Sequence, residues 1–163
     1  MEKINTFVYW AINNGWNVIT ENNGIEKLPK TITDRYNIPK EYKTFLENIK
    51  ICTNAEENIW FFCIADYLRD EENAFKWNEF ELISLEAANA DNDQKWIEEI
   101  KEFWDKHFPI IFNVKGEYEY YAINTKTKEI VNGYEPMFEE SGEVVANNFE
   151  ELLEKIMNKE IEL

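Results

Sequence analysis

The sequence predicts an α+β protein: a mostly antiparallel sheet with helices packed against it. Two observations carry this. Residues 108–134 are the densest run of β-branched and aromatic residues in the chain, and they are broken only at Gly116 and at Asn124-Thr125-Lys126-Thr127-Lys128. Short strands separated by turn residues read as a three-stranded meander, over about 109–134. Outside this run, apolar residues recur at helical spacing in four stretches.

The elements follow in chain order. Ile4, Phe7, Val8, Ala11 and Ile12 form a helical stripe, so a helix is expected near 3–14, stopped at Gly15. Trp16 to Thr20 suits a short strand, Asn22-Asn23-Gly24 a turn, and Pro29 to Asn37 a short lead-in helix. Pro39 fits the first turn of a helix over 39–49, whose stripe is Tyr42, Phe45, Leu46 and Ile49. Trp60 to Ile64 reads as a buried strand, Asp70-Glu71-Glu72-Asn73 as a solvated loop, and Trp77, Phe80, Leu82 and Ile83 as a further strand.

Asp91-Asn92-Asp93 can cap a helix over 92–107 that buries Trp96, Ile97, Ile100, Phe103 and Trp104, with Pro109 ending it. Within the meander, period-two alternation puts Ile110, Phe112 and Val114 on one face of the first strand, and Tyr121 and Ile123 on one face of the second. Residues 136–142 read as loop, and Val144-Val145-Ala146 as a returning strand. Asn147 or Asn148 caps a last helix near 148–159, which buries Phe149, Leu152, Leu153, Ile156 and Met157. With 163 residues, no repeat and no linker, the chain reads as one domain, 1–163.

Charge narrows the function classes. The formal net charge is −16. Spread over the roughly 8,500 Å² that a protein of this mass exposes, this argues against nucleic acid and anionic membranes as partners and favours a cationic one. The excess is segregated. Residues 56–105 hold four Lys/Arg against fifteen Asp/Glu, and residues 135–163 hold two against nine, while the remaining segments are each at +1. Asp66, Asp70, Glu71, Glu72, Glu135, Glu139 and Glu140 are the candidate partner-binding acids, with Trp77 and Tyr134 as candidate aromatic anchors. A purely solubilising acidic surface is the competing explanation.

Nothing in the sequence demands chemistry. The one histidine, His107, lies near Asp105 and Glu102, but general-base and metal sites need further convergent groups. No glycine-rich phosphate loop and no nucleophile elbow are visible. Tyr118, Tyr120 and Tyr121 either line a ligand cleft or are half-buried sheet residues with wet hydroxyls. No cofactor, metal or catalytic residue is expected. Cys52 and Cys63 have no metal or redox spacing and read as unpaired thiols, Cys63 being a small buried apolar residue. No signal peptide or membrane span is visible, so the cytoplasm is the expected compartment.

The order of motifs carries a resemblance. Phe108-Pro109-Ile110-x-Phe112, a turn at Gly116, Tyr120-Tyr121-Ala122-Ile123-Asn124, then Ile130-Val131, closes on Asn148-Phe149-Glu150-Glu151-Leu152-Leu153. Upstream stands Ile38-Pro39-Lys40-Glu41-Tyr42-Lys43-Thr44-Phe45-Leu46. Over roughly residues 36–157 this resembles the SUKH superfamily of Smi/Knr-type cell-wall regulators and bacterial immunity proteins. The chain departs from the family at Asn113-Val114-Lys115-Gly116, at Asn124 and at Asn48-Ile49-Lys50-Ile51.

The resemblance implies the same α+β fold and, for a bacterial member, an immunity protein that neutralises a polymorphic or contact-dependent toxin by stoichiometric binding. The implied toxin is a basic, nuclease-type domain; for the chain itself, a monomer and a weak homodimer both stay open. The alternatives are a regulatory scaffold, a small-molecule sensor or enzyme using the tyrosine-lined sheet, or a nucleic-acid mimic aimed at a host protein.

Overall fold

The computed structural model describes residues 1–20, 26–72 and 74–163; the Asn22-Asn23-Gly24 turn signal and Asn73 lie outside them. Seven strands form one antiparallel sheet in sequence order: β1 (Asn17–Thr20), β2 (Ile49–Thr53), β3 (Ile59–Phe61), β4 (His107–Asn113), β5 (Glu119–Asn124), β6 (Ile130–Tyr134) and β7 (Glu143–Ala146). The described helices are α1 (Glu2–Asn13), α2 (Lys30–Arg35), α3 (Lys40–Asn48), α4 (Ile64–Leu68), α5 (Glu79–Ala90), α6 (Gln94–Trp104) and α7 (Phe149–Met157). The architecture is α+β, with the meander β4–β5–β6 at its centre.

Both faces of the central strands are covered, so β4 and β5 are buried along almost their whole length. β3 shows how the layers divide. Successive side chains point to opposite faces, and Phe61 meets Phe7 of α1 and Phe45 of α3 while Trp60 meets Phe75 and Phe112. Helices α1, α3 and α7 therefore share one face, joined through Phe149 against Phe45 and Tyr42. Helices α5 and α6 take the other. There Phe80 stacks on Phe112 at 4.1 Å, and Trp104 packs on Tyr120 at 4.9 Å. Such ring pairs add about 0.5–1.5 kcal/mol each beyond the apolar area they bury.

Four expectations need correction. Trp77 to Ile83 is not a strand: Phe80, Glu81, Ser84 and Ala88 form the buried side of α5. Leu82 and Ile83 lie on its exposed side, so apolar residues stand all round this helix and hide its period. The helix over 39–49 stops at Asn48, and Ile49 turns extended to begin β2. The helix over 92–107 spans only Gln94–Trp104, capped by Asp93 and ended by the turn at Asp105-Lys106. Pro109 does not end it. Pro109 sits inside β4 next to a bulge between Pro109 and Ile111, where a residue without an N–H does least harm. Trp60 to Ile64 is split, with Ile64 opening α4 instead of closing the strand.

Cys52 and Cys63 are both free and buried, and burial pushes both thiols well above their ordinary range.

Candidate functional site

The nine candidate partner-binding residues divide sharply by environment. Asp66 is a structural cap. Its carboxylate accepts from the Cys63 N–H at 2.8 Å and pairs with Arg69 at 3.3 Å. Burial raises its pKa, and the Cys63 N–H and Arg69 only partly oppose that. Glu135 accepts from the Tyr118 N–H at 2.8 Å, closing the end of the meander.

Glu139 is half-buried and engaged as well. It accepts from Trp104 Nε1 at 2.7 Å and from Ser84 Oγ at 3.1 Å, so it ties the loop after β6 to α5 and α6. Trp77 is no exposed anchor, because its ring packs against Tyr36, Tyr67 and Phe108. Glu135, Glu139 and Trp77 are withdrawn from the binding surface because their functional atoms or faces are already committed, and Asp66 stays at a surface groove with its carboxylate engaged.

Asp70, Glu71, Glu72, Tyr134 and Glu140 remain exposed. Asp70 is almost fully solvated and lies 3.6 Å from Lys76. The loops carrying these acids meet one row of rings: Phe75 touches Tyr118 and Phe80, and Phe80 stacks on Phe138 at 4.4 Å. Between β3 and β4, residues 64–105 hold thirteen acids against four Lys/Arg, and α5 and α6 of this segment form the layer on one face. The first acidic segment thus covers one face, while Glu150, Glu151 and Glu154 of α7, in the second, belong to the helical layer on the other.

Beside this layer the sheet is bare. A groove of about 420 Å³ is lined by Ile51, Thr53, Trp60, Ala65, Asp66, Arg69 and Phe75 among others. Ile19 pairs with Ile51 across β1 and β2, and both remain more than a third exposed, as does Leu68 of α4. The register shift between Ile19 and Thr20 makes Lys50 the extra residue, so Ile49 is buried while Ile51 faces out. The sequence pattern assigns Ile49 to a helical stripe and predicts no strand over residues 49–53. The groove therefore went unread.

The competing catalytic constellation comes apart. His107 Nδ1 lies 2.7 Å from the Phe103 carbonyl and therefore donates to it, and its ring stacks on Phe103 at 4.1 Å. Burial, with some help from Lys106, holds its pKa below the ordinary value despite the Phe103 bond. Asp105 is taken by Arg35 at 2.9 Å, and Glu102 by Lys106 at 2.7 Å.

The tyrosines differ from one another. The Tyr120 hydroxyl is not wet: it is buried and donates to the Phe138 carbonyl at 2.6 Å. Tyr121 reaches toward Glu119 at 3.5 Å. Among the described residues no group of three or more His, Cys, Asp or Glu is placed to hold a metal ion, and no helix is long and apolar enough to cross a membrane.

Comparison with protein-family models, with curated proteins and with solved structures finds no match for this chain.

Proposed function

We propose that this protein is an immunity protein, acting in the cytoplasm by stoichiometric binding to a basic toxin domain of nuclease type. The observation that carries this is a groove whose lining mixes Ile51, Trp60, Ala65 and Phe75 with Lys50, Glu57, Asp66 and Arg69, set beside the exposed acids Asp70, Glu71 and Glu72 on the flank of a helical layer dominated by carboxylates. An apolar centre with a charged rim is the anatomy of a protein interface. The rim steers a cationic partner and raises the association rate, while desolvation of the centre holds the complex. A nuclease is basic because its substrate is a polyanion, so the charge is complementary in sign. The resemblance to the SUKH superfamily supports the same assignment.

The test pairs this chain with a basic toxin domain, sought first in the reading frame beside its gene. Association rate and affinity are measured against salt for the native chain, for the triple substitution D70K/E71K/E72K, and for Ile51→Glu. The expected result is a slower, less salt-dependent association for the triple variant and a faster dissociation for Ile51→Glu. The proposal fails if both variants bind as the native chain does, or if co-expression of the native chain leaves cells unprotected.

A further inference from the structure

A second concavity lies at the far end of the meander. An open cleft of about 590 Å³ is lined by Asn113, Lys115, Gly116, Glu117, Glu119 and Tyr134. Its centre is built on strands. Asn113, Glu119 and Tyr134 stand side by side across β4, β5 and β6, with Asn132 one row away opposite Tyr121. Alternation puts Glu119 on the sheet face opposite Tyr120.

Both oxygens of Glu119 are held by neutral amides. Asn113 Nδ2 donates to Oε2 at 2.9 Å, and Asn132 Nδ2 donates to Oε1 at 3.0 Å. The Asn113 carbonyl is itself fixed by the Lys115 N–H at 3.0 Å, and Asn132 also donates to the Tyr120 carbonyl at 3.0 Å. The carboxylate is therefore pre-set in position and direction.

Its charge is not neutralised. Among the described residues no lysine or arginine forms an ion pair with Glu119. A carboxylate supplies an acceptor at each oxygen for these amides and for the Tyr121 hydroxyl at 3.5 Å, and its negative charge is left without a cationic side chain paired to it among the described residues. The network explains the geometry of this side chain and leaves its charge unused.

The same cleft has an aromatic wall. Tyr134 is half exposed, at 51%, and its backbone is clamped by Ser141, which accepts from the Tyr134 N–H at 2.8 Å and donates to its carbonyl at 3.0 Å. A rigid carboxylate beside an exposed tyrosine face matches one group best. A guanidinium is planar, always charged, donates in a fork that fits a carboxylate, and stacks on aromatic rings. A lysine ammonium offers no flat face. Lys115 and Glu117 also line the cleft, one charge of each sign.

We infer that this cleft is a socket for an arginine side chain presented by the cationic partner, with Glu119 as its counter-ion and Tyr134 as its stacking face. This rests on the proposed function for the partner, but the socket is tested without it. The probes are N-acetyl-arginine methylamide, the matching citrulline and lysine compounds, and agmatine. Binding is followed through the side-chain amide signals of Asn113 and Asn132 in ¹⁵N-labelled protein.

Saturable shifts with the arginine compound, none with citrulline and weaker ones with lysine are expected. Glu119→Gln should weaken arginine binding roughly tenfold or more, as expected for the loss of a charge-assisted bond. Tyr134→Ala should weaken it about threefold, since an exposed cation–π contact is modest. Tyr134→Ala removes only an exposed ring, so it keeps the test valid if Glu119→Gln disturbs the turn.

Equal binding of citrulline, or no saturation with arginine, overturns the socket. Agmatine binding about tenfold more tightly than the blocked arginine would assign the cleft to a free metabolite and overturn it too. A failure here leaves the groove beside Asp70–Glu72 untouched, and a failure there leaves these titrations readable.

Discussion

Replacing Glu139 by alanine should destabilise the fold rather than weaken partner binding. Its carboxylate is the acceptor for the indole N–H of Trp104, which is 1% exposed, and for the hydroxyl of Ser84, which is 5% exposed. A hydrogen bond to a charged group contributes about 1.5–3 kcal/mol, and a buried donor stripped of its partner costs about 1–3 kcal/mol. Ser84 can rotate its hydroxyl elsewhere, but Trp104 cannot turn without disturbing Tyr120. The loss is about 2–3 kcal/mol, most of it from the stranded indole, which for a chain of this size lowers Tm by about 8 °C.

Glu139→Gln keeps an oxygen for Trp104 and should cost only about 1 kcal/mol. Glu140→Ala, one residue along and exposed, should stay within about 0.5 kcal/mol of the native chain. Urea unfolding followed by tryptophan fluorescence reads all three. The reasoning is refuted if Glu139→Ala unfolds at the native urea midpoint, or if Glu139 and Glu140 substitutions cost the same.

Three further outcomes follow from the packing. Arg35 grips Glu81 through two bonds of 2.8 and 3.0 Å and reaches Asp105 at 2.9 Å, while the Glu81 side chain is only 9% exposed. Arg35→Ala should therefore cost about 3–5 kcal/mol by stranding Glu81, and the double substitution R35M/E81L should recover most of it; a double variant as unstable as the single one contradicts this. A Cβ at Gly133 would collide with the ring and hydroxyl of Tyr120, so Gly133→Ala should lose about 2 kcal/mol or more in chemical denaturation, by the usual cost of overpacking.

His107 gives a pH dependence. Its pKa in the fold is below the ordinary 6.5, so the unfolded chain binds the proton more tightly. Its contribution is whole above pH 6.5 and is lost as pH falls from there through the folded value. The difference in unfolding free energy between the native chain and His107→Gln should shrink over that window; a constant difference from pH 8 to 5 would refute it.

Much of the fold was legible from local pattern. The meander, α1, α3, α6 and α7 announce themselves by period and by caps, since Asp93 and Asn148 bond the N–H groups of Trp96 and Glu151, within three residues. α5 was missed because Glu81 interrupts an otherwise apolar stretch, and its inward direction depends on Arg35, which lies 46 positions away. β2 was missed because its first residue also completes the stripe of α3.

The candidate site was only partly legible, and the division is a physical one. Composition set the sign of the surface field: a net charge of −16 disfavours anionic partners, whatever the fold. Which carboxylates are free to meet a partner was decided in three dimensions. Glu139 is spent on groups 35 and 55 positions away, and Asp105 on one 70 positions away, while Glu71, Glu72 and Glu140, the same residue types in the same kinds of loop, stay in water. A carboxylate's availability is set by the donors that surround it, and those donors are brought together only when distant segments pack on the two faces of one sheet.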